Sequence, residues 1–178
     1  MFENESKNDL ETNLKVTLKN TKATRIIIII AAIVMLASGA VCLALEILYP
    51  EPDSDYFGIF MLVMGVFFLS FFLFYKPIFR GILKKTMQGK EGVNFYRFTE
   101  EGYEISTTLS DGTTGTTQGN YSAFTLCKEF PEFWLLYLNK ATYFIVEKRG
   151  MKTGTAEELT QFFQNKISGT YKVCYKKK

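Results

Sequence analysis

The chain has 178 residues with 21 Lys and Arg against 18 Asp and Glu, a net charge of +3, no histidine and three cysteines. That total sums a basic segment, an acidic loop and a near-balanced C-terminal part with 11 basic and 10 acidic residues, which argues against nucleic-acid binding, and the missing histidine removes the usual base of a hydrolytic triad. Cys42, Cys127 and Cys174 lack any metal-ligand spacing and read as reduced, small apolar side chains, so no cofactor or metal is expected.

Residues 1–25 form a polar tail. Within it Leu14, Val16 and Leu18 alternate with Lys15, Thr17 and Lys19, a period of two that predicts a strand over 12–19. Ile26 to Leu45 and Tyr56 to Tyr75 then each run 20 residues without Lys, Arg, Asp or Glu. At about 1.5 Å per residue either crosses a hydrocarbon core of roughly 30 Å, which predicts transmembrane helices over 26–48 and 56–75. A cleaved signal peptide ending near Ser38-Gly39-Ala40 is the competing reading of the first run. The long polar leader and the apolar residues continuing to Leu48 oppose it.

The connecting loop, 49–55, contains Pro50 and Pro52 and turns the second helix back as an antiparallel hairpin. Ala32 and Gly39, like Gly58 and Gly65, are seven residues apart and mark one small-residue stripe per helix. Homodimerisation through the same stripes is the alternative. Lys15, Lys19, Lys22 and Arg25 precede the first run, and Lys76, Arg80, Lys84, Lys85 and Lys90 follow the second. Glu46, Glu51, Asp53 and Asp55 lie between. The positive-inside rule then places the loop outside and both termini in the cytoplasm of a cell membrane. Neither run holds an ionisable residue at depth, and Ser38 and Ser70 are the interior hydroxyls, so the pair reads as an anchor and not a pathway.

Residues 76–90 predict a basic helix at headgroup level, ended by Gly89 and Gly92. Beyond it, turn signals at Glu101-Gly102, Asp111-Gly112, Pro131 and Asn139-Lys140 separate strands over 93–99, 103–109, 113–119, 123–130, 133–138 and 142–147, an antiparallel meander. Thr155 and Glu158 make a capping box. Leu159, Phe162, Phe163 and Ile167 follow at helical spacing, and Tyr171, Val173 and Tyr175 repeat a strand pattern. The expected whole is an α+β membrane protein: a two-helix hairpin and, over 91–178, a domain of about six to eight strands closed by one helix.

No catalytic set appears. Lys128 and Lys140 read as solvated lysines, Asp111-Gly112-Thr113 as a hairpin turn, and the hydroxyl-rich stretch from Ser106 to Thr117 as a Thr-rich edge hairpin. No phosphate-binding glycine motif is present. Trp134, flanked by apolar neighbours, reads as core. Lys148-Arg149 with Lys152, the run Lys176, Lys177 and Lys178, and Lys84 and Lys85 on the surface helix are the candidate contacts to anionic lipid headgroups.

Two apolar runs followed by "FYRFTEEGYEIS", Tyr121-Ser122, "FWLLYLNKATYFIVEKRG" and "TAEELTQFFQNKI" resemble the YcxB-like proteins of bacteria over Ile26 to Ile167. The resemblance implies a domain similar to the pleckstrin-homology fold and no assigned reaction. Where the family usually has Ile-Pro-Lys-Arg this chain has Val146-Glu147-Lys148-Arg149, which alters the turn. The expected role is a membrane-anchored interaction or regulatory module with a protein partner. A small membrane-embedded enzyme or an accessory to a pore or transporter is the rival.

Overall fold

In the computed structural model, residues 1–49 and 56–175 are described. Pro50, Glu51, Pro52, Asp53, Asp55 and the lysines at 176–178 lie outside them. The chain is a mixed α+β protein that divides into two compact units, residues 1–9 with 87–178 and residues 10–86.

The second unit is helical. Helix α1, Leu10–Asn20, occupies the segment read as a strand over 12–19. Leu10, Leu14 and Leu18 also recur at i, i+4 and i+8, and this helical spacing prevails over the alternation of Leu14, Val16 and Leu18. Helix α2, Lys22–Leu48, follows directly, because Thr21 N–H still donates to Thr17 O at 3.0 Å. With a mean hydropathy of 3.0 over its most apolar 18 residues, α2 is long and apolar enough to cross a membrane.

The helices expected over 56–75 and 76–90 are both present, and the bend between them is the new feature. Helix α3, Phe57–Leu73, ends short and helix α4, Tyr75–Met87, continues after a bend of 57°. Pro77 is the physical cause: it has no N–H for the Leu73 carbonyl four residues back, and its ring crowds that carbonyl. Around the break, Tyr75 donates to Thr21 Oγ1 at 3.0 Å and stacks on Phe79 with ring centroids 4.3 Å apart.

Helices α2 and α3 bury only small residues: Ala32 and Gly39 on one, Gly58 and Gly65 on the other. A Cβ at Gly65 would lie 2.7 Å from the Leu36 side chain, one at Gly39 2.9 Å from Gly58 O, and one at Gly58 3.1 Å from Cys42 Cβ. Partner numbers fall along α3 as they rise along α2, so the packing is antiparallel. Gly39→Leu should force the backbones apart and cost about 1–3 kcal/mol. The check is the aggregation temperature of the detergent-solubilised protein, which drops if the contact holds.

The first unit contains two sheets. Strand β1, Phe2–Asn8, precedes the helices in the chain, and β2 (Gly92–Phe98), β3 (Tyr103–Leu109) and β4 (Thr114–Gly119) follow helices α1 to α4. Strands β5 (Leu126–Glu129), β6 (Phe133–Tyr137) and β7 (Tyr143–Glu147) come next, then β8 (Met151–Thr153), helix α5 (Ala156–Lys166) and β9 (Thr170–Val173). The six strands expected between 93 and 147 are present, split between two sheets and not one continuous meander. Their orders are β4-β3-β2-β1-β8 and β7-β6-β5-β9, with β9 parallel to β5.

An N-terminal strand does join the C-terminal sheet, but it is 2–8 and it lies inside the sheet, between β2 and β8. Its buried face is polar. Ser6 Oγ accepts from Glu147 N–H at 2.8 Å and donates to Asn4 Oδ1 at 2.6 Å, while the Asn4 amide donates to Glu147 O at 2.7 Å. This closed ring satisfies side chains that are otherwise costly to bury. It joins β1 to the end of β7 in the other sheet. Gly150 permits the close approach there, since any Cβ would collide with the Glu5 carbonyl.

The core between the sheets is aromatic. Tyr96, Phe98, Phe124, Trp134 and Phe163 are fully buried, and Trp134 meets Phe163 edge-on with ring centroids 5.7 Å apart. Central strand β6 buries all five residues, as expected of a strand apolar on both faces. The capping box forms at Thr155 and Glu158 and sets α5 over the core through Leu159 and Phe163.

Candidate functional site

Strand β5 alternates with Cys127 and Glu129 inward and Lys128 half-exposed, so a carboxylate occupies a core-facing position. Glu129 is 1% exposed. Four donors converge on it from three other elements: Lys148 Nζ at 2.6 Å from the turn after β7, Thr160 Oγ1 at 3.4 Å from α5, and the hydroxyls of Tyr171 at 2.9 Å and Tyr175 at 2.7 Å from β9 and the segment after it. The Lys148 ammonium also lies over the rings of Trp134 and Tyr175, at 4.9 and 5.4 Å.

Electrostatics follow from that shell. Burial by itself raises the Glu129 pKa, but the Lys148 charge and the tyrosine hydroxyls outweigh it and hold the carboxyl below its usual value. The Tyr175 hydroxyl is pushed up to about 12, first by desolvation and then by its bond to the carboxylate, and Tyr171 is raised in the same way. A carboxylate held ionised below its usual value by an ammonium and hydroxyl donors, three of the four on Oε1 and Tyr171 on Oε2, is a poor general base. Its chemistry is that of a fastener joining β5, the 148–150 turn, α5 and β9. Beside it opens a cleft of about 490 Å3, rimmed by Glu157, Gln161 and Gln164.

The basic residues picked out as lipid contacts are placed very differently from one another. Lys148 turns inward to Glu129, which corrects its reading as a surface contact: the cost of burying that carboxylate is offset by pairing it. Arg149 is exposed but faces Glu147 through two bonds of 3.1 and 3.3 Å, and Lys152 faces Glu5 at 3.0 Å. The cluster at 148–152 therefore meets three carboxylates, Glu129 and Glu5 from elsewhere in sequence and the adjacent Glu147, and its positive field is largely cancelled. Lys84 and Lys85 stand exposed on the last turn of α4. Lys176, Lys177 and Lys178 are outside the described residues. Asp111 makes the expected turn, its Oδ1 accepting from Thr113 N–H at 2.8 Å. No group of three or more His, Cys, Asp or Glu able to hold a metal occurs among the described residues.

Sequence reasoning missed Glu129, Thr160, Tyr171 and Tyr175 as a group. The available signal was one acidic residue in register with Cys127 on a buried strand face, because an unpaired carboxylate is not tolerated there. The family model of the YcxB-like proteins matches residues 98–163, from the end of β2 to Phe163 of α5. No curated protein and no solved structure matches the chain.

Proposed function

We propose that this chain, YcxB-like over residues 98–163, is a two-pass protein of a bacterial cell membrane whose pleckstrin-homology-like α+β domain serves as a cytoplasmic interaction or regulatory module. The observation that carries the reading is a register pair. Asn8 and Gly92, where the chain leaves and re-enters one sheet, lie opposite each other. A chain that departs from and returns to the same sheet crosses a bilayer, where it crosses one, an even number of times, which supports pairing α2 with the second apolar segment as a two-pass anchor.

The distribution of apolar surface supports the same reading. Of the large hydrophobic side chains that are exposed, all but Met1, Ile78, Ile82 and Val173 lie between Ile26 and Phe74. Such a surface is at home in hydrocarbon and unfavourable in water. Orientation rests on charge, with basic flanks on the cytoplasmic side. Occupancy of Glu129 by four donors supports a structural role for that carboxylate over a catalytic one, and apolar helices without charge at depth support an anchor over a pore accessory.

The test has two parts. Alkaline carbonate should leave the protein in the membrane pellet, and a cysteine introduced at Ser54 should react with an impermeant thiol reagent from outside the cell. Release by carbonate would overturn the anchor, and labelling of Ser54→Cys only from the cytosol would invert the topology.

A further inference from the structure

The bend between α3 and α4 creates an apolar groove of about 540 Å3, lined by Phe67, Ser70, Phe71, Phe74, Pro77 and Ile78. A straight helix has no such concavity. Along α4, Lys84 lies seven residues after Pro77 and Lys85 seven after Ile78, so two helical turns place both lysines on the stripe that leads out of the groove. Gly81 lies between them and the groove, and a Cβ added there meets nothing within 4 Å. Helical side chains lean toward the N-terminus, so both ammonium groups have the reach to close over a phosphate set against the bare Gly81 backbone. The segment 76–90 contains no acid.

We infer that this groove holds one acyl chain of an anionic phospholipid, whose phosphate is received over Gly81 by Lys84 and Lys85. The charge of the exit stripe selects the occupant: an apolar slot opening onto two lysines complements a lipid with a negative headgroup better than a neutral lipid or a second, equally basic copy of α4. The inference rests on the membrane reading above and deepens it, replacing a diffuse attraction with a single site on the anchor itself. In this arrangement Lys148, Arg149 and Lys152 take no part, consistent with their carboxylate partners.

The full-length protein, purified in mild detergent with a mixture of phosphatidylglycerol and phosphatidylcholine, is the object to test, with bound lipid counted by native mass spectrometry. The expected result is one retained phosphatidylglycerol per chain. Gly81→Glu, which is sterically open and places a carboxylate under the headgroup, and the pair Lys84→Ala/Lys85→Ala should each lower that retention by roughly tenfold or more. The pair Lys76→Ala/Lys90→Ala removes equal charge elsewhere and should leave it unchanged. Equal retention of the two lipids, an equal loss in the control pair, or a dimer mass with no lipid would each overturn the site. Carbonate extraction of the same preparations separates the two levels: retention in the membrane with no lipid preference refutes only the site, whereas release refutes the anchor.

Discussion

Deletion of residues 2–8 is expected to abolish cooperative unfolding of the α+β unit. The deletion removes a strand from inside a sheet, unpairs β2 along seven register positions and leaves β8 with no neighbour. It also strips Glu147 N–H and C=O of their Ser6 and Asn4 partners, and each buried group left unmade costs about 1–3 kcal/mol. Trp134, the only tryptophan and fully buried, reports the transition by fluorescence. The milder Asn4→Leu keeps the strand and breaks the ring, so its melting temperature should fall by several degrees. A fragment beginning at residue 91 lacks β1 and should show the same loss as the deletion. An unchanged melt in either truncated protein would mean that β1 contributes nothing.

Glu129→Leu is expected to cost about 3–5 kcal/mol, because it leaves the Lys148 charge without its carboxylate in a partly buried site. The double variant Glu129→Leu/Lys148→Met should recover most of that loss, since no uncompensated charge remains. Failure of the second substitution to rescue the first would show that the tyrosine and threonine bonds dominate. Acid titration gives an independent check. The carboxyl pKa of Glu129 lies below its unfolded value, so its contribution is complete above the unfolded pKa, about 4.3, and disappears as pH falls through the lower folded value. Thermal melts of the wild type should therefore decline with acidification below about pH 4 more steeply than those of Glu129→Gln.

Elements written in local chemistry could be read from the chain. Gly102, Gly112, Pro131 and Asn139 bounded the strands because turns require those residues, and Thr155 with Glu158 announced α5 through hydrogen bonds made within four residues. The four small residues of α2 and α3 were legible for a similar reason, since their seven-residue spacing defines a face whatever lies against it. Strand β1 was not legible. Its inward residues Asn4 and Ser6 are polar, and their partner is the backbone of Glu147, more than 140 positions away. The strand reading of 12–19 failed because Leu10, Leu14, Val16 and Leu18 suit both periods, and continuity with α2 decided between them. At the site, the basic cluster at 148–152 was visible, whereas Glu129 and Glu5 are its neighbours only in three dimensions. Pro77 could have announced the bend; it lies in the basic segment 76–90, whose apolar and basic pattern indicates a helix but not the angle at which it leaves the apolar run.

The position of β1 also sets an order of assembly. Phe2 is synthesised ahead of helices α1 to α5, yet its partner Phe98 follows 96 residues later, and Glu3 must wait for Thr153. Closing a loop of that size from a free chain is slow, and an unpaired strand is exposed in the interval. Prior pairing of α2 with α3 shortens the closure by bringing the two ends of the helical excursion together, so the helices act as a template for the sheet during synthesis. Slowed maturation of the sheet is then the foreseeable result of damage to the helix contact, even where the finished domain has lost none of its own bonds.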